Sequence, residues 1–95
     1  MAQAKLDGMV IAESADVVRL EGNRYFPPAG VRKELLTEGT RQYTCPWKGK
    51  STYWDIHVGD KVYENAAWSY EAPKEAAREI TGHVAFDTSV VSISE

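Results

Sequence analysis

The chain has 95 residues, of which 43% are hydrophobic and 26% charged, with a formal net charge of −3 and a pI near 5.4. This length predicts one domain with a single modest core, and the acidic balance excludes general nucleic-acid binding, which needs a basic surface. No apolar run approaches the ~20 residues that span a bilayer, no signal peptide is evident, and one cysteine cannot form an internal disulfide. These features predict a cytoplasmic protein that does not bind membranes.

The first third of the chain predicts short strands and one irregular segment. Residues 1–7 are polar and are expected to form a flexible, frayed start. Residues 8–12 and 17–21 are β-branched runs bounded by turn residues, which predicts a hairpin between them. Two prolines keep residues 24–28 extended. Residues 31–36 fit either one or two helical turns or a bent edge segment.

The clearest strand of the chain is predicted at residues 51–58. Its side chains alternate between the two faces, as they do in any strand. The turn signal Gly59-Asp60 predicts a hairpin with residues 61–65. One face is expected to carry Thr52, Trp54, Ile56 and Val58, and the other face Ser51, Tyr53, Asp55 and His57.

The remaining segments complete a mainly β domain. Residues 74–80 carry an apolar stripe after Pro73 and predict the one short helix. With seven or eight short strands in total, residues 8–95 are expected to fold as a small single-domain barrel or as two packed sheets. Further strands are expected at residues 40–44, 83–87 and 90–94, with an extended or irregular segment at residues 66–70.

Four motifs relate the chain to a known family. They are Asn23-Arg-Tyr-Phe-Pro27, Cys45-Pro-Trp-Lys-Gly49, Ala66-Ala-Trp-Ser-Tyr70 and Val84-Ala-Phe86. In this order they resemble the bacterial domain-of-unknown-function 427 family, also labelled nucleotidyltransferase-like, from about residue 8 to residue 93. The resemblance implies a compact, mainly β fold whose motifs meet in one region. The chain has neither an Asp-x-Asp pair to hold Mg²⁺ nor a Gly-x-x-x-x-Gly-Lys phosphate loop, so the transferase label remains a hypothesis.

The second motif carries the candidate binding residues. Its glycine allows close backbone approach, and Lys48 could form an anion-binding corner with Arg24 and Arg41, walled by amphipathic rings. The alternative is that these cations pair with surface carboxylates while the rings fill the core. The candidate ligand-binding residues are Arg24, Tyr25, Trp47, Lys48, Gly49, Tyr53, Trp68 and Tyr70.

Catalytic chemistry has three weaker candidates. Cys45 could act as a nucleophile if Lys48 lowers its pKa and either His57 or His83 serves as the base. Asp55 could orient His57, since the two residues alternate on one strand face. The alternatives are a small buried cysteine and a solvated strand face. One cysteine and two histidines without a Cys-x-x-Cys spacing predict no metal site, and the sequence indicates no particular cofactor.

Three hypotheses about function follow. The leading one is a domain that binds a small anionic ligand, such as a nucleotide, at the Cys45–Gly49 turn. The second is a nucleotidyltransferase-like enzyme. The third is a structural or protein-interaction module in which exposed tryptophans form a homodimer face.

Overall fold

Nine strands in three antiparallel sheets build the computed structural model, which describes all 95 residues. The sheets have the orders β2-β1-β9, β3-β4 and β5-β6-β7-β8, so the mainly β prediction is confirmed, as packed sheets without a closed barrel. The strands are β1 (Ala2–Leu6), β2 (Met9–Ser14), β3 (Val18–Leu20), β4 (Asn23–Tyr25), β5 (Leu36–Cys45), β6 (Gly49–Val58), β7 (Lys61–Ser69), β8 (Val84–Phe86) and β9 (Ser92–Ser94).

Two tight hairpins open the chain. Asp7-Gly8 joins β1 to β2, and Glu21-Gly22 joins β3 to β4; all four residues have φ between 52° and 82°. Two central residues with positive φ define the type I′ turn, whose twist matches that of the flanking strands. The predicted hairpin between residues 8–12 and 17–21 is therefore wrong, because β2 pairs with β1 and β3 pairs with β4.

The N-terminal residues also differ from expectation. Residues 1–7 are predicted to be frayed, yet Ala2–Leu6 form β1, the central strand of the three-stranded sheet. The apolar side chains of Ala2, Ala4 and Leu6 alternate along this strand and are buried. Short alanines gave a weak hydrophobic signal in the sequence, although their spacing has the period of two that a half-buried strand requires.

Helical structure is limited to three short 3₁₀ segments, Pro28–Gly30, Lys33–Leu35 and Glu75–Ile80. The helix predicted at residues 74–80 is thus a 3₁₀ segment, interrupted at Ala77 (φ −119°, ψ 20°). No side chain caps its N-terminus, so the first free N–H groups lack the partners that stabilise an α-helix start.

The long hairpins β5–β6 and β6–β7 form the centre of the fold. The predicted face of β6 is confirmed where Trp54, Ile56 and Val58 pack into the larger core. Of the two alternatives predicted for residues 66–70, the extended one is confirmed, because β7 runs to Ser69.

Two hydrophobic cores lie within this arrangement. The larger one contains Phe26 and Phe86, whose rings meet edge to face with centroids 5.7 Å apart, a favoured aromatic geometry. The smaller one collects six buried residues beneath the β5–β6 turn: Tyr25, Cys45, Tyr70, Ala77, Ile80 and Ala85.

Candidate functional site

The β5–β6 turn is braced by the segment that precedes the last 3₁₀ helix. The backbone N–H of Lys74 donates to the carbonyl of Lys48 at 2.7 Å, and the Lys74 Nζ donates to the carbonyl of Pro46 at 2.6 Å. Gly49 has a φ of +110°, and a Cβ there would lie 3.4 Å from the Lys74 nitrogen. Glycine is required at this position by its backbone conformation.

Lys48 is buried beside this turn, with 6% of its surface exposed. Its Nζ lies 5.2 Å from the ring centroid of Trp47 and 5.4 Å from that of Tyr70, within the range of cation–π attraction. The ammonium group also donates to Oε1 of Glu21, while Trp47 Nε1 donates to Oε2 at 3.1 Å. Two donors from adjacent residues therefore hold one carboxylate.

The hydrogen bond between Lys48 and Glu21 favours the ionised form of both side chains. Hydrogen bonds from Lys48 and Trp47 lower the pKa of Glu21 below its ordinary value. Burial has the largest single effect on Lys48 and would lower its pKa, but the hydrogen bond to Glu21 and the nearby Tyr25, Tyr70 and Cys45 together outweigh it, and the pKa is raised. Burial raises the pKa of Tyr70 to about 12, against the opposing effect of the Lys48 ammonium. The pair is therefore ionised at neutral pH, beside a neutral phenol.

The four sequence motifs meet at the smaller core. Tyr25, Cys45, Tyr70 and Ala85 each come from a different motif and are all buried there. Trp68 packs against them, and its Nε1 donates to the Tyr25 hydroxyl at 3.2 Å. Side chains from all four motifs thus form a packed, hydrogen-bonded centre below the Lys48–Glu21 pair.

Arg24 does not join Lys48. Its Nε donates to Glu95 Oε2 at 2.9 Å, and Arg19 donates to the other carboxylate oxygen. Arg19 and Arg24 are opposite each other in the β3–β4 ladder, whereas Tyr25, the next residue, is buried. Alternation along β4 therefore directs Arg24 away from the core that contains Tyr25.

The candidate catalytic residues are likewise separated. Cys45 pairs with Gly49 in the β5–β6 ladder, and Asp55 is six residues further along β6, roughly 20 Å away at about 3.3 Å per residue. His57 is more distant still, and its Nε2 is 2.7 Å from the Thr37 hydroxyl. No Cys–His–Asp arrangement forms.

Asp55 instead anchors two facing irregularities in the sheet. Register shifts occur on β5 between Glu38 and Gln42 and on β7 opposite residues 54–56. Oδ1 of Asp55 accepts from the N–H of Asn65 at 2.8 Å, and Oδ1 of Asn65 accepts from the N–H of Arg41 at 3.2 Å. Asn65 has a φ of 52°, and such bulges redirect side chains at sheet edges.

Gly39 fits this network because it lacks a side chain. A Cβ at Gly39 would lie 2.8 Å from Oδ1 of Asp55 and in contact with the Asn65 amide oxygen. Close contact with side-chain atoms, rather than a positive φ, therefore requires glycine at this position.

The β5 bulge borders a polar depression of about 80 Å³. The Arg41 guanidinium lies 5.2 Å over the Tyr53 ring, whose centroid is 6.0 Å from that of Trp68. Lys50 lies in the same depression, and neither cation has a carboxylate within ion-pairing distance. Its walls include Glu38, Arg41, Gln42, Lys50, Thr52 and Tyr53.

A larger cavity of about 220 Å³ is lined by other residues. Trp54 Nε1 donates to Ser69 Oγ at 2.9 Å, and Ser69 Oγ in turn donates to the Glu71 carboxylate. None of the candidate site residues predicted from the sequence lines this cavity, although alternation along β7 separates Ser69 from its neighbour Trp68 within the third motif. Its walls include Lys33, Leu36, Trp54, Ser69, Glu71 and Val84.

Comparison with known proteins bears on this arrangement. A family model described as a domain of unknown function (DUF427) matches residues 1–95, the whole chain. The chain belongs to the DUF427 family. A search of the curated proteins found no match for it. The description of DUF427 states no activity, so a function for this member has to be argued from its geometry.

Three further findings concern the DUF427 chain as a whole. No helix is long and apolar enough to cross a membrane. No group of three or more His, Cys, Asp or Glu side chains is arranged to hold a metal ion. Among the large hydrophobic side chains, those exposed are Met1, Tyr43, Trp47, Val62 and Val90.

Proposed function

We propose that this DUF427 domain binds a small ligand through an oxyanion group, such as a phosphate or carboxylate, at the Arg41–Lys50 depression. The supporting observation is that two cations without a carboxylate partner line one polar concavity. Arg41 offers a planar fork of donors suited to phosphate and carboxylate, and Lys50 adds a second positive charge.

The position of Arg41 supports this proposal. Its backbone is held by Asn65 and, through it, by Asp55, while its guanidinium is stacked on Tyr53. An arginine that is ordered before binding loses less conformational entropy when an anion arrives. The Tyr53 ring, predicted from the sequence as a wall of an anion site, lies against the guanidinium, and its centroid is 6.0 Å from that of Trp68.

Lys48 has a supporting role in this proposal. Glu21 already occupies its ammonium group and the Trp47 indole N–H, so an incoming anion would have to displace an internal carboxylate. Lys50 follows directly after the braced turn, whose carbonyls bond to Lys74. The turn then fixes the point at which β6 presents Lys50.

A thermal-shift and calorimetric titration tests this function. Phosphate, pyrophosphate, AMP, ATP and citrate are added with and without Mg²⁺; binding to the folded state raises the melting temperature by mass action. Arg41→Gln and Lys50→Gln are compared with Arg78→Gln and Lys5→Gln, which remove the same charges elsewhere on the surface. We expect each site variant to weaken binding about tenfold, as for loss of one charge-assisted hydrogen bond.

The same titration separates the other two hypotheses. Equal binding by site and control variants, or no melting shift at millimolar ligand, would contradict the oxyanion site. Release of pyrophosphate from ATP would support the transferase hypothesis instead. A concentration-dependent dimer in sedimentation equilibrium, lost on Trp47→Ala, would support the interaction module.

A further inference from the structure

The 220 Å³ cavity is distinct from the oxyanion site. It is smaller than the ~300–1,000 Å³ typical of sites for drug-sized ligands, and its walls combine apolar side chains with a few polar ones. Leu36, Trp54 and Val84 supply the apolar part, and Lys33, Ser69 and Glu71 supply the polar part. Such a mixture is characteristic of small-molecule sites, where few polar groups fix the orientation.

The direction of the hydrogen bonds in this cavity is determined by chemistry. An indole N–H can only donate, so the Ser69 hydroxyl accepts from Trp54 at 2.9 Å. The single Ser69 proton is then directed to Glu71, whose carboxylate oxygen accepts it. Ser69 is fully buried, whereas Glu71 is exposed, so these bonds lead from the interior to the surface.

Glu71 retains unused capacity as an acceptor. A carboxylate has about four lone-pair sites, and the only hydrogen bond that reaches Glu71 comes from Ser69. No Lys, Arg or His forms an ion pair with it. An anion beside an aromatic and aliphatic wall is suited to a ligand ammonium group, which can bond to the carboxylate and lie against Trp54.

Lys33 provides the complementary charge. It lines the same cavity, has no ion-pair partner, and is not within 4.0 Å of Glu71. The cavity wall therefore carries two opposite charges that do not neutralise each other. A ligand that carries one charge of each sign can satisfy both charges at once.

We propose that this cavity binds a small zwitterion of the amino-acid class. The ligand ammonium group contacts Glu71, its carboxylate contacts Lys33, and its apolar side chain packs against Leu36, Trp54 and Val84. This site takes a ligand with no net charge, unlike the oxyanion site at Arg41 and Lys50, so the two proposals fail independently.

Calorimetry with three matched probes tests the zwitterion site. Leucine carries both charges, 4-methylpentanoate lacks the ammonium group, and 3-methylbutylamine lacks the carboxylate. We expect leucine to bind at least about tenfold more tightly than either analogue, as for loss of one charged contact. Glu71→Gln should weaken leucine binding about tenfold and leave the binding of 4-methylpentanoate unaffected. Lys33→Gln should likewise weaken leucine binding about tenfold and leave the binding of 3-methylbutylamine unaffected. Glu79→Gln and Lys5→Gln should leave the affinity for all three probes unchanged.

A second measurement detects ligand in the cavity directly, without variants of the charged residues. In an ¹H–¹⁵N spectrum the Trp54 indole signal, identified by its loss in Trp54→Phe, should move on addition of leucine. Equal affinity for all three probes would overturn the proposal, as would leucine binding that Glu71→Gln and Lys33→Gln leave unchanged. No shift of the Trp54 indole with millimolar leucine would overturn it too.

Discussion

Glu21 joins two hairpins by reaching Lys48. Its backbone is in the left-handed region, with a φ of 53°, where a residue other than glycine, asparagine or aspartate is uncommon. Its carboxylate is 45% exposed, whereas the Lys48 side chain is 7% exposed. The β3–β4 turn thus places a carboxylate over the buried ammonium group of the β5–β6 turn.

Because Lys48 is buried and Glu21 is half exposed, removing each charge should affect stability by a different amount. Glu21→Gln leaves the Lys48 ammonium buried without its counter-charge, which is costly. Lys48→Met leaves only a solvated carboxylate, and its side chain can still pack between the two rings. We expect Glu21→Gln to lower the urea midpoint more than Lys48→Met does, with Glu79→Gln as the neutral control. The opposite order would show that the ring contacts of Lys48 dominate.

The contribution of the Glu21–Lys48 pair to the free energy of unfolding depends on pH. The pKa of Glu21 is lowered on folding, from an ordinary value of 4.5, mainly by the hydrogen bond from Lys48. The stabilisation is therefore fully present above pH 4.5 and is lost as the pH falls through the lower folded value. The difference in unfolding free energy between wild type and Glu21→Gln should shrink below pH 4.5. A difference that is constant from pH 7 to pH 3 would contradict the lowered pKa.

Tyr70 gives a spectroscopic signal at high pH. Burial raises its pKa from 10.0 to about 12, so the neutral phenol is favoured in the folded state. The corresponding stabilisation is present below pH 10 and is lost as the pH rises through about 12. The difference in absorbance at 295 nm between wild type and Tyr70→Phe should rise near pH 12, while circular dichroism confirms that both remain folded. A rise near pH 10 would mean that the phenol is solvated.

The bulge on β5 is sensitive to one methyl group. In Gly39→Ala the new Cβ would lie 2.8 Å from the Asp55 carboxylate, which requires the network around Asn65 to move. We expect a loss of about 1–3 kcal/mol in unfolding free energy, typical of overpacking, and weaker phosphate binding because Arg41 moves. Thr40→Ala, at the next position, is the control for both measurements. Unchanged binding in Gly39→Ala would separate the bulge from the oxyanion site.

Cys45 should react slowly with thiol reagents. It is 5% exposed and packs in the apolar core beneath the turn. Because reaction needs a local opening, we expect modification by a disulfide reagent to be at least about a hundredfold slower in buffer than in urea. Immediate stoichiometric reaction of the native protein would revive the nucleophile hypothesis, for which Cys45→Ser would then be the matching variant.

Local patterns in the sequence predicted β6 and its hairpin with β7 well, and the pairing of the N-terminal strands poorly. The alternation that puts Trp54 and Ile56 on the core side is a property of the strand itself. Pairing depends on which turn is tight, and the two positive-φ positions at Glu21-Gly22 decide that β3 pairs with β4. Glutamate is uncommon at such a position, so residue preferences alone do not predict this turn.

In the candidate site, too, local patterns predicted some contacts correctly and failed for those that depend on how the strands pair. Tyr53 and Trp68 meet as expected because they are cross-strand neighbours. Positive charge alone predicts that Arg24 lies near Lys48. Because side chains alternate along β4, however, Arg24 lies on the face opposite the buried Tyr25 and bonds to Glu95. Lys50, in contrast, joins Arg41 only through the register of β5 against β6, which depends on a bulge that sequence periodicity does not reveal.

The bulge around Gly39 and Arg41 has a consequence for solubility. β5 is ten residues long and lies at the edge of its sheet, and a long regular edge invites another chain to add a strand. The register break uses the Arg41 N–H internally and divides the outer edge into two short runs, with a charged side chain between them. The feature that positions Arg41 thereby also guards the sheet against edge-to-edge aggregation.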